Sequence, residues 1–420
     1  MSIALAQTSI WVLCGTVFVL ILWRPRRIPE YVWAMTGAIL LVLFRLLSAR
    51  SAWQAICAGT DVYLFLAGMM LLAELARQHG VFDWLAAIAM HRAQGSQIRL
   101  FTLVYGIGIL VTSLLSNDAT AVLLTPAVLA VVRRARTSPL PYLLACAFIA
   151  NAASFVLPIS NPANLVVFDA HLPPLGRWLA MFGLPSLVSV LATYVLLFWH
   201  SRANLRPPMQ DGVEDSSLSQ VGRRAALGVL LASGALLVTS AINGPIGPAT
   251  FVASLVAMFF VARKDWRIMT SALRQISWGV LLLVAGLFVI VEALNGAGAL
   301  TWTTRALRGV TQWHPAASLT AVAFGMGIAS NAINNLPMGL VGSASVRVAH
   351  ASTIMHGAVL LGIDLGPNLS VTGSLATILW LIALRREGIH VTRWEFLRVG
   401  ILVMPPALLL AVLALAAVHP

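Results

Sequence analysis

A carboxylate in the middle of lipid-soluble sequence constrains this chain more than any other feature in it. Ser116-Asn117-Asp118-Ala119-Thr120 separates two apolar runs, Leu100 to Leu115 and Ala121 to Val132. Each run falls short of the roughly 20 residues that a spanning helix needs. The pattern predicts a helical hairpin that enters the membrane, turns at Asn117 and Asp118, and leaves on the side it entered. Backbone groups at such a turn lack helical partners and hydrocarbon cannot hydrate them, so the turn must be buried in protein or line a wet cavity. An ionisable residue at that depth marks function unless it merely caps the second half-helix.

The rest of the sequence agrees with a membrane setting. Of its 420 residues 59% are hydrophobic and 10% charged, which leaves no soluble domain of useful size. Apolar segments run to about 20 residues or split into shorter pairs, so a helix bundle is expected and not a barrel of alternating strands. The formal charge of +13 sits in small arginine clusters between apolar runs, where it sets topology and does not point to nucleic acid. Lys264, the only lysine, is followed by Asp265, so no GxxxxGK[ST] phosphate loop exists in the chain. Cys14, Cys57 and Cys146 are isolated, and no HExxH or His-carboxylate cluster occurs. Neither a metal, a cofactor nor an enzymatic site is expected. The first apolar run, Ile3 to Trp23, has arginines after it and none before, and reads as a first span, not a cleaved signal.

Arg24, Arg26 and Arg27 then belong in the cytoplasm, with the N-terminus outside. On that register the first hairpin, about 99–134, opens from the cytoplasm. A span from Pro141 runs into Pro158-Ile159-Ser160-Asn161-Pro162-Ala163-Asn164 and resumes toward Phe168, a broken helix over about 141–170. Residues 201–224, with Asp211, Glu214 and Asp215, form a cytoplasmic linker. A second hairpin, about 316–349, turns at Ser330 to Pro337 and opens from outside. A second broken helix, about 353–385, is interrupted at Gly362 to Asn368. Ala67-Gly68, Glu74 and Gly80 match Ala285-Gly286, Glu292 and Gly298 at one constant offset, and Ser116-Asn117 is paired with Ser330-Asn331. The expected fold is an all-α polytopic membrane protein of two inverted repeats, 1–200 and 225–420, each with a re-entrant hairpin and a discontinuous transmembrane helix. Secondary transporters are constructed in this way.

Four interruptions meeting at mid-depth would bring together Asn117, Thr120, Asn161, Asn164, Asn331, Asn334, Asn335, Asn368, Thr372 and Ser374 as substrate-binding groups. Asp118 and Asp364, one in each half, are the proton-carrier candidates, and Asp364 is equally readable as a turn aspartate. Glu74 and Glu292 lie near span ends, where snorkelling or a structural contact accounts for them. A lining rich in amides and hydroxyls suits a neutral polyhydroxy solute or a small cation better than a dicarboxylate.

SNDATAVLLTP at 116–126, SNPANLV at 160–166, SNAINNLPMGLVG at 330–342 and DLGPNLSVTGSLATILWL at 364–381 resemble the arsenite permease (ArsB) family of the ion transporter superfamily. The resemblance extends over nearly the whole chain. It implies export of arsenite and antimonite, largely neutral trihydroxides, across the inner membrane in exchange for protons. It also implies a soluble arsenite-stimulated ATPase as partner in some members, and superfamily relatives are often homodimers. Related sodium-coupled carboxylate transporters carry Ser-Asn-Thr at both hairpin tips, where this chain has Ser-Asn-Asp and Ser-Asn-Ala, which favours protons and Asp118. Silicic acid exporters and sodium/proton antiporters are also relatives, so those solutes stay open as alternatives.

Overall fold

The computed structural model describes residues 3–25, 28–168, 171–207, 209, 217–263 and 265–418. Arg26, Arg27, Asp211, Glu214, Asp215 and Lys264, and the far end of the first broken helix at 169 and 170, lie outside the described residues. Among the described residues there are ten α-helices before the linker and ten after it. The first ten are α1 (Ile3–Trp23), α2 (Glu30–Leu43), α3 (Ala49–Ala58), α4 (Thr60–Gln78), α5 (Val81–Ala93), α6 (Gln97–Leu114), α7 (Thr125–Arg134), α8 (Leu140–Ala152), α9 (Pro162–Val167) and α10 (Leu175–Ser201). The second ten are α11 (Gln220–Ala241), α12 (Ile246–Ala262), α13 (Trp266–Gln275), α14 (Trp278–Gly296), α15 (Ala299–Val310), α16 (Pro315–Ile333), α17 (Asn335–Val348), α18 (Thr353–Leu365), α19 (Leu375–Arg386) and α20 (Arg393–Val418). Among these residues 7 helices are long and apolar enough to cross a membrane, or 8 if α3 and α4, bent by 47° at Gly59, count as one span.

The two sets correspond helix for helix, and the repeated small residues have local causes. Gly80 and Gly298 sit at φ of 72° and 96° immediately before α5 and α15, a left-handed conformation that glycine adopts without steric cost. Gly68 faces the backbone of α12, where an added Cβ would lie 2.7 Å from the Thr250 carbonyl oxygen. Gly286 faces α2 in the same manner, with the Ala34 carbonyl carbon 2.8 Å from such a Cβ. Each half thus lends its second helix to the other half's fourth, and small residues let the backbones approach. The short helices follow the same exchange, α13 against α4 and α3 against α14. The closing helices α10 and α20 pack on one another.

The apolar core centres on α8 and α18. Every residue of α8 from Pro141 to Ala152 is buried, as is α18 from Gly357 to Leu365. Phe148 of α8 packs on Phe396 of α20 at 5.0 Å between ring centroids. Both helices lead into the broken segments, and irregular backbone at membrane depth is tolerated only where protein surrounds it.

The interruptions differ in position from the sequence expectation. α8 stops at Ala152, five residues before the expected Leu157, and α9 begins at Pro162. α16 continues through Ser330 and Asn331 to Ile333, so the second hairpin breaks at Asn334 alone, with φ 79°. Ser330 Oγ and Asn331 Nδ2 donate to the Gly327 carbonyl at 2.8 and 2.7 Å, which keeps these polar residues within the helix. α18 runs through Asp364, which is therefore a helical residue and not a turn residue, and the break follows the turn Gly366–Asn368. The outgoing hairpin legs α6 and α16, of 18 and 19 residues, are longer than the half-spans expected. The sequence reading missed α3, α13 and α15 as helices.

Two side-chain contacts join segments distant in sequence. Arg133 Nη1 bonds Glu387 Oε2 at 2.9 Å, and Gln97 Nε2 bonds the Pro207 carbonyl at 2.8 Å. Each joins two segments that the arginine distribution assigns to the cytoplasm.

Candidate functional site

At the first hairpin tip, Ser116 Oγ accepts from the Ala119 N–H at 3.1 Å and is the cap of the return leg. Asp118 does not cap it. The Asn117 N–H reaches across to the Ser160 carbonyl at 3.1 Å, tying the tip to the first broken helix. Residues Ala119–Leu124 are wound as a π-helix, a form frequent at functional sites. In the second half the Asn335 N–H donates to the Gly373 carbonyl at 3.0 Å. The equivalent of Asn117 is therefore Asn335 and not Asn331, and the constant offset from Ala67 to Ala285 carries Asn117 to Asn335 as well.

The broken helices are tied to the opposite halves by a second reciprocal pair. Asn161 caps α9 through Ala163 N–H at 3.0 Å, with Pro162 at the first helical position, and its Nδ2 donates to Asp364 Oδ1 of α18 at 2.8 Å. Ser374 caps α19 through Thr377 N–H at 3.2 Å, and its hydroxyl donates to Asn151 Oδ1 of α8 at 3.4 Å. Asn151 Nδ2 also donates to Asn368 Oδ1 at 3.0 Å, and Asn368 Nδ2 to the Phe148 carbonyl at 3.1 Å. Asn151 is absent from the sequence-derived set. It precedes its cap residue, Asn161 in its own half, by the same ten positions that separate Asp364 from Ser374, and that register is the signal that finds it.

Most of the predicted polar groups are used up in this framework. Asn164 Nδ2 donates to the Ser154 and Pro158 carbonyls at 3.0 and 3.1 Å. Thr120, fully buried, meets Thr112 Oγ1 at 2.8 Å inside the hairpin. Asn331 donates to the Gly366 carbonyl at 2.9 Å and accepts from Ser370 Oγ at 2.6 Å, while Thr372 Oγ1 donates to the Asn331 carbonyl at 2.9 Å. Asn334 caps α17 through Leu336 N–H at 3.5 Å. These bonds satisfy the backbone that the interruptions free, as burial requires. Asn151→Ala is expected to strip Asn368 and Ser374 of a buried partner and to cost about 1–3 kcal/mol, read as a lower melting temperature in detergent, whereas Asn151→Asp restores acceptance from Ser374.

Asp118 stands apart from that framework. It lines a cavity of about 330 Å³ with Ser116, Phe65, Met69, Glu74, Arg77 and Gln275. Glu74, 7% exposed, receives Arg77 Nε and Nη2 at 2.8 and 2.6 Å and Gln78 Nε2 at 2.7 Å. Arg77 also donates to Gln275 Oε1 on α13, so the two halves are joined at the cavity mouth. Glu74 is thereby the structural contact expected of it, and Glu292 is exposed. Arg77→Ala is expected to unlock this mouth. In a Cys57→Ser background, a cysteine placed at Ser277 should then react at least twofold faster with a membrane-impermeant thiol reagent added from the cytoplasmic side.

The citrate transporter family model matches residues 18–364. An arsenical pump membrane protein of Escherichia coli is 27% identical, with 96% of this chain and 98% of that protein aligned. Another of the same description from Yersinia enterocolitica is 28% identical over 96% and 98% of the two chains. Among solved structures, the YdaH transporter of Alcanivorax borkumensis, described as having an unusual topology, superposes with a TM-score of 0.58 at 14% identity, covering 96% of this chain and 97% of that one. At that identity the likeness concerns the fold.

Proposed function

The chain belongs to the citrate transporter family, and from that membership we propose that it is a secondary active transporter of the inner membrane that exports arsenite and antimonite in exchange for protons. The observation that carries the reading is Asp118, a carboxylate on a hairpin tip that lines a cavity between the interlocked halves. Residues 1–200 and 225–420 are read as inverted repeats, in support of which each half holds the other's α8 or α18 at a helix cap. Rocking of such repeats about a fixed site gives alternating access.

The choice of solute follows from chemistry. Citrate carries several negative charges and calls for cationic donors. The arginine lining the Asp118 cavity is already paired with Glu74. Ser116, Gln275 and Ser277, which line the cavity beside Asp118, suit a neutral trihydroxide, and full-length relatives are named arsenical pumps. In the proposed cycle Asp118 takes a proton from outside and releases it inside, proton and solute favouring different states of one bistable element. Asp364, bonded to the α9 cap, orients that helix.

Counterflow of radiolabelled arsenite in proteoliposomes tests the reading. Arsenite and antimonite should exchange and move protons, while silicic acid, sodium and citrate should not. Proton movement with sodium or silicic acid and none with arsenite would replace the solute, and citrate exchange would overturn the argument from charge.

A further inference from the structure

A cavity of about 650 Å³ lies between the adjoining ends of α1 and α2 on one side and α19 and the start of α20 on the other, a volume within the range of ligand sites. Ile378 and Ile382 give it an apolar wall, and Arg385, Arg386 and Arg393 line it as well. We propose that it binds an anionic phospholipid, with the headgroup at these arginines and an acyl chain along α19.

Ile378, Ile382 and Arg386 follow one another at four-residue spacing on one face of α19, so the lining changes from apolar to cationic over eight residues, about 12 Å. Leu22 and Ile28 add apolar surface from the side of α1 and α2. A lining divided in this way fits an amphiphile, whereas a small inorganic anion would use the arginines alone. The guanidinium forks match phosphate oxygens. The level of the arginines agrees with a headgroup. Trp23, at the end of α1, lines the cavity and is exposed, and Trp394, next to Arg393, is exposed with the Arg398 guanidinium 5.5 Å from its ring centroid. Exposed tryptophans settle at the membrane–water boundary. Nearby carboxylates are engaged, Glu30 with Arg24, Glu387 with Arg133 and Glu395 with Thr392. Arg26 and Arg27, the two residues outside the described set between Arg24 and Ile28, are basic. Arginines at the end assigned to the cytoplasm follow from topology alone. Their place at an apolar cavity between spanning helices does not, and that combination is how membrane proteins hold acidic headgroups. Leu379 lines this cavity and that of Asp118, so the two share the wall of α19.

Purified wild type is compared with Arg385→Gln/Arg386→Gln, with Arg134→Gln/Arg136→Gln and with Ile382→Trp by native mass spectrometry of the lipids retained from mixed phosphatidylglycerol and phosphatidylcholine. Arg134 and Arg136 are exposed and do not line this cavity, so their removal takes away the same charge elsewhere. Wild type should retain phosphatidylglycerol in preference to phosphatidylcholine. Arg385→Gln/Arg386→Gln should weaken that preference by about fivefold per arginine, and Arg134→Gln/Arg136→Gln should keep it. Ile382→Trp, which fills the apolar part and leaves every charge in place, should lose it. Equal loss in the two glutamine variants would assign the preference to general surface charge, and an undiminished preference in Ile382→Trp would put the lipid outside the cavity. Either result overturns the proposal, as does wild type without a preference. The readout does not involve the exported solute, so it stands or falls apart from the transport reading.

Discussion

Replacing Asp118 by asparagine is expected to abolish proton-driven accumulation of arsenite in everted vesicles, to the level of vesicles without the protein. The amide copies the carboxylate in shape and still accepts hydrogen bonds, but it neither takes up nor releases a proton at any working pH. The hairpin is held by Ser116 Oγ to Ala119 N–H and by Asn117 N–H to the Ser160 carbonyl, not by the Asp118 side chain. Stability should therefore change by no more than about 0.5 kcal/mol, and the variant should be recovered in normal amount. Solute exchange without a proton gradient should survive, which separates lost coupling from lost binding. Concentrative uptake in this variant would move the coupling site elsewhere, and Asp364→Asn is the informative companion. It keeps an acceptor for Asn161 and copies the amide that the first half carries at Asn151, so it should retain coupling.

The second large effect is expected from one added methyl group. Gly68→Ala would place a Cβ 2.7 Å from the Thr250 carbonyl oxygen, and Gly286→Ala one 2.8 Å from the Ala34 carbonyl carbon. The obstructing atoms are backbone and cannot swing aside as a flexible side chain does, so the helices must separate. Such overpacking costs typically about 1–3 kcal/mol. The effect on transport should exceed the effect on stability at Gly68, because α4 supplies Phe65, Met69, Glu74 and Arg77 to the wall of the Asp118 cavity. Gly106→Ala on α6, where nothing lies within 4 Å of the added atom, is the control and should be silent. Melting temperatures and monodisperse yield in detergent read the first effect and arsenite counterflow the second. Full transport by Gly68→Ala would mean that this crossing tolerates more adjustment than backbone contact implies.

The all-helical course and the repeated small residues were legible because they rest on patterns that local chemistry enforces. A left-handed turn needs Gly80 and Gly298, and a close crossing needs Gly68 and Gly286. Break positions were less legible. Asparagine and serine end a helix in the absence of other partners, but in a packed bundle they can bond a carbonyl one turn back, as Ser330 and Asn331 do, and the helix continues. The polar set was identified by residue type, which does not separate amides that satisfy freed backbone from groups that face a cavity. Asn164 and Asn331 are of the first kind and Asp118 is of the second. Asn151 sits inside an apolar run, and only its register with Asp364 distinguishes it.

The exchange of second and fourth helices between the halves has a consequence for biogenesis. α4 leaves the ribosome long before α12, its main neighbour, has been synthesised. At roughly 5–20 residues per second that interval is on the order of ten to forty seconds. Throughout it a helix whose buried face includes Glu74 stands in the bilayer without the surface it is shaped to meet. Because α4 packs on α12 and α2 on α14, residues on either side of the linker are expected to complete their packing together.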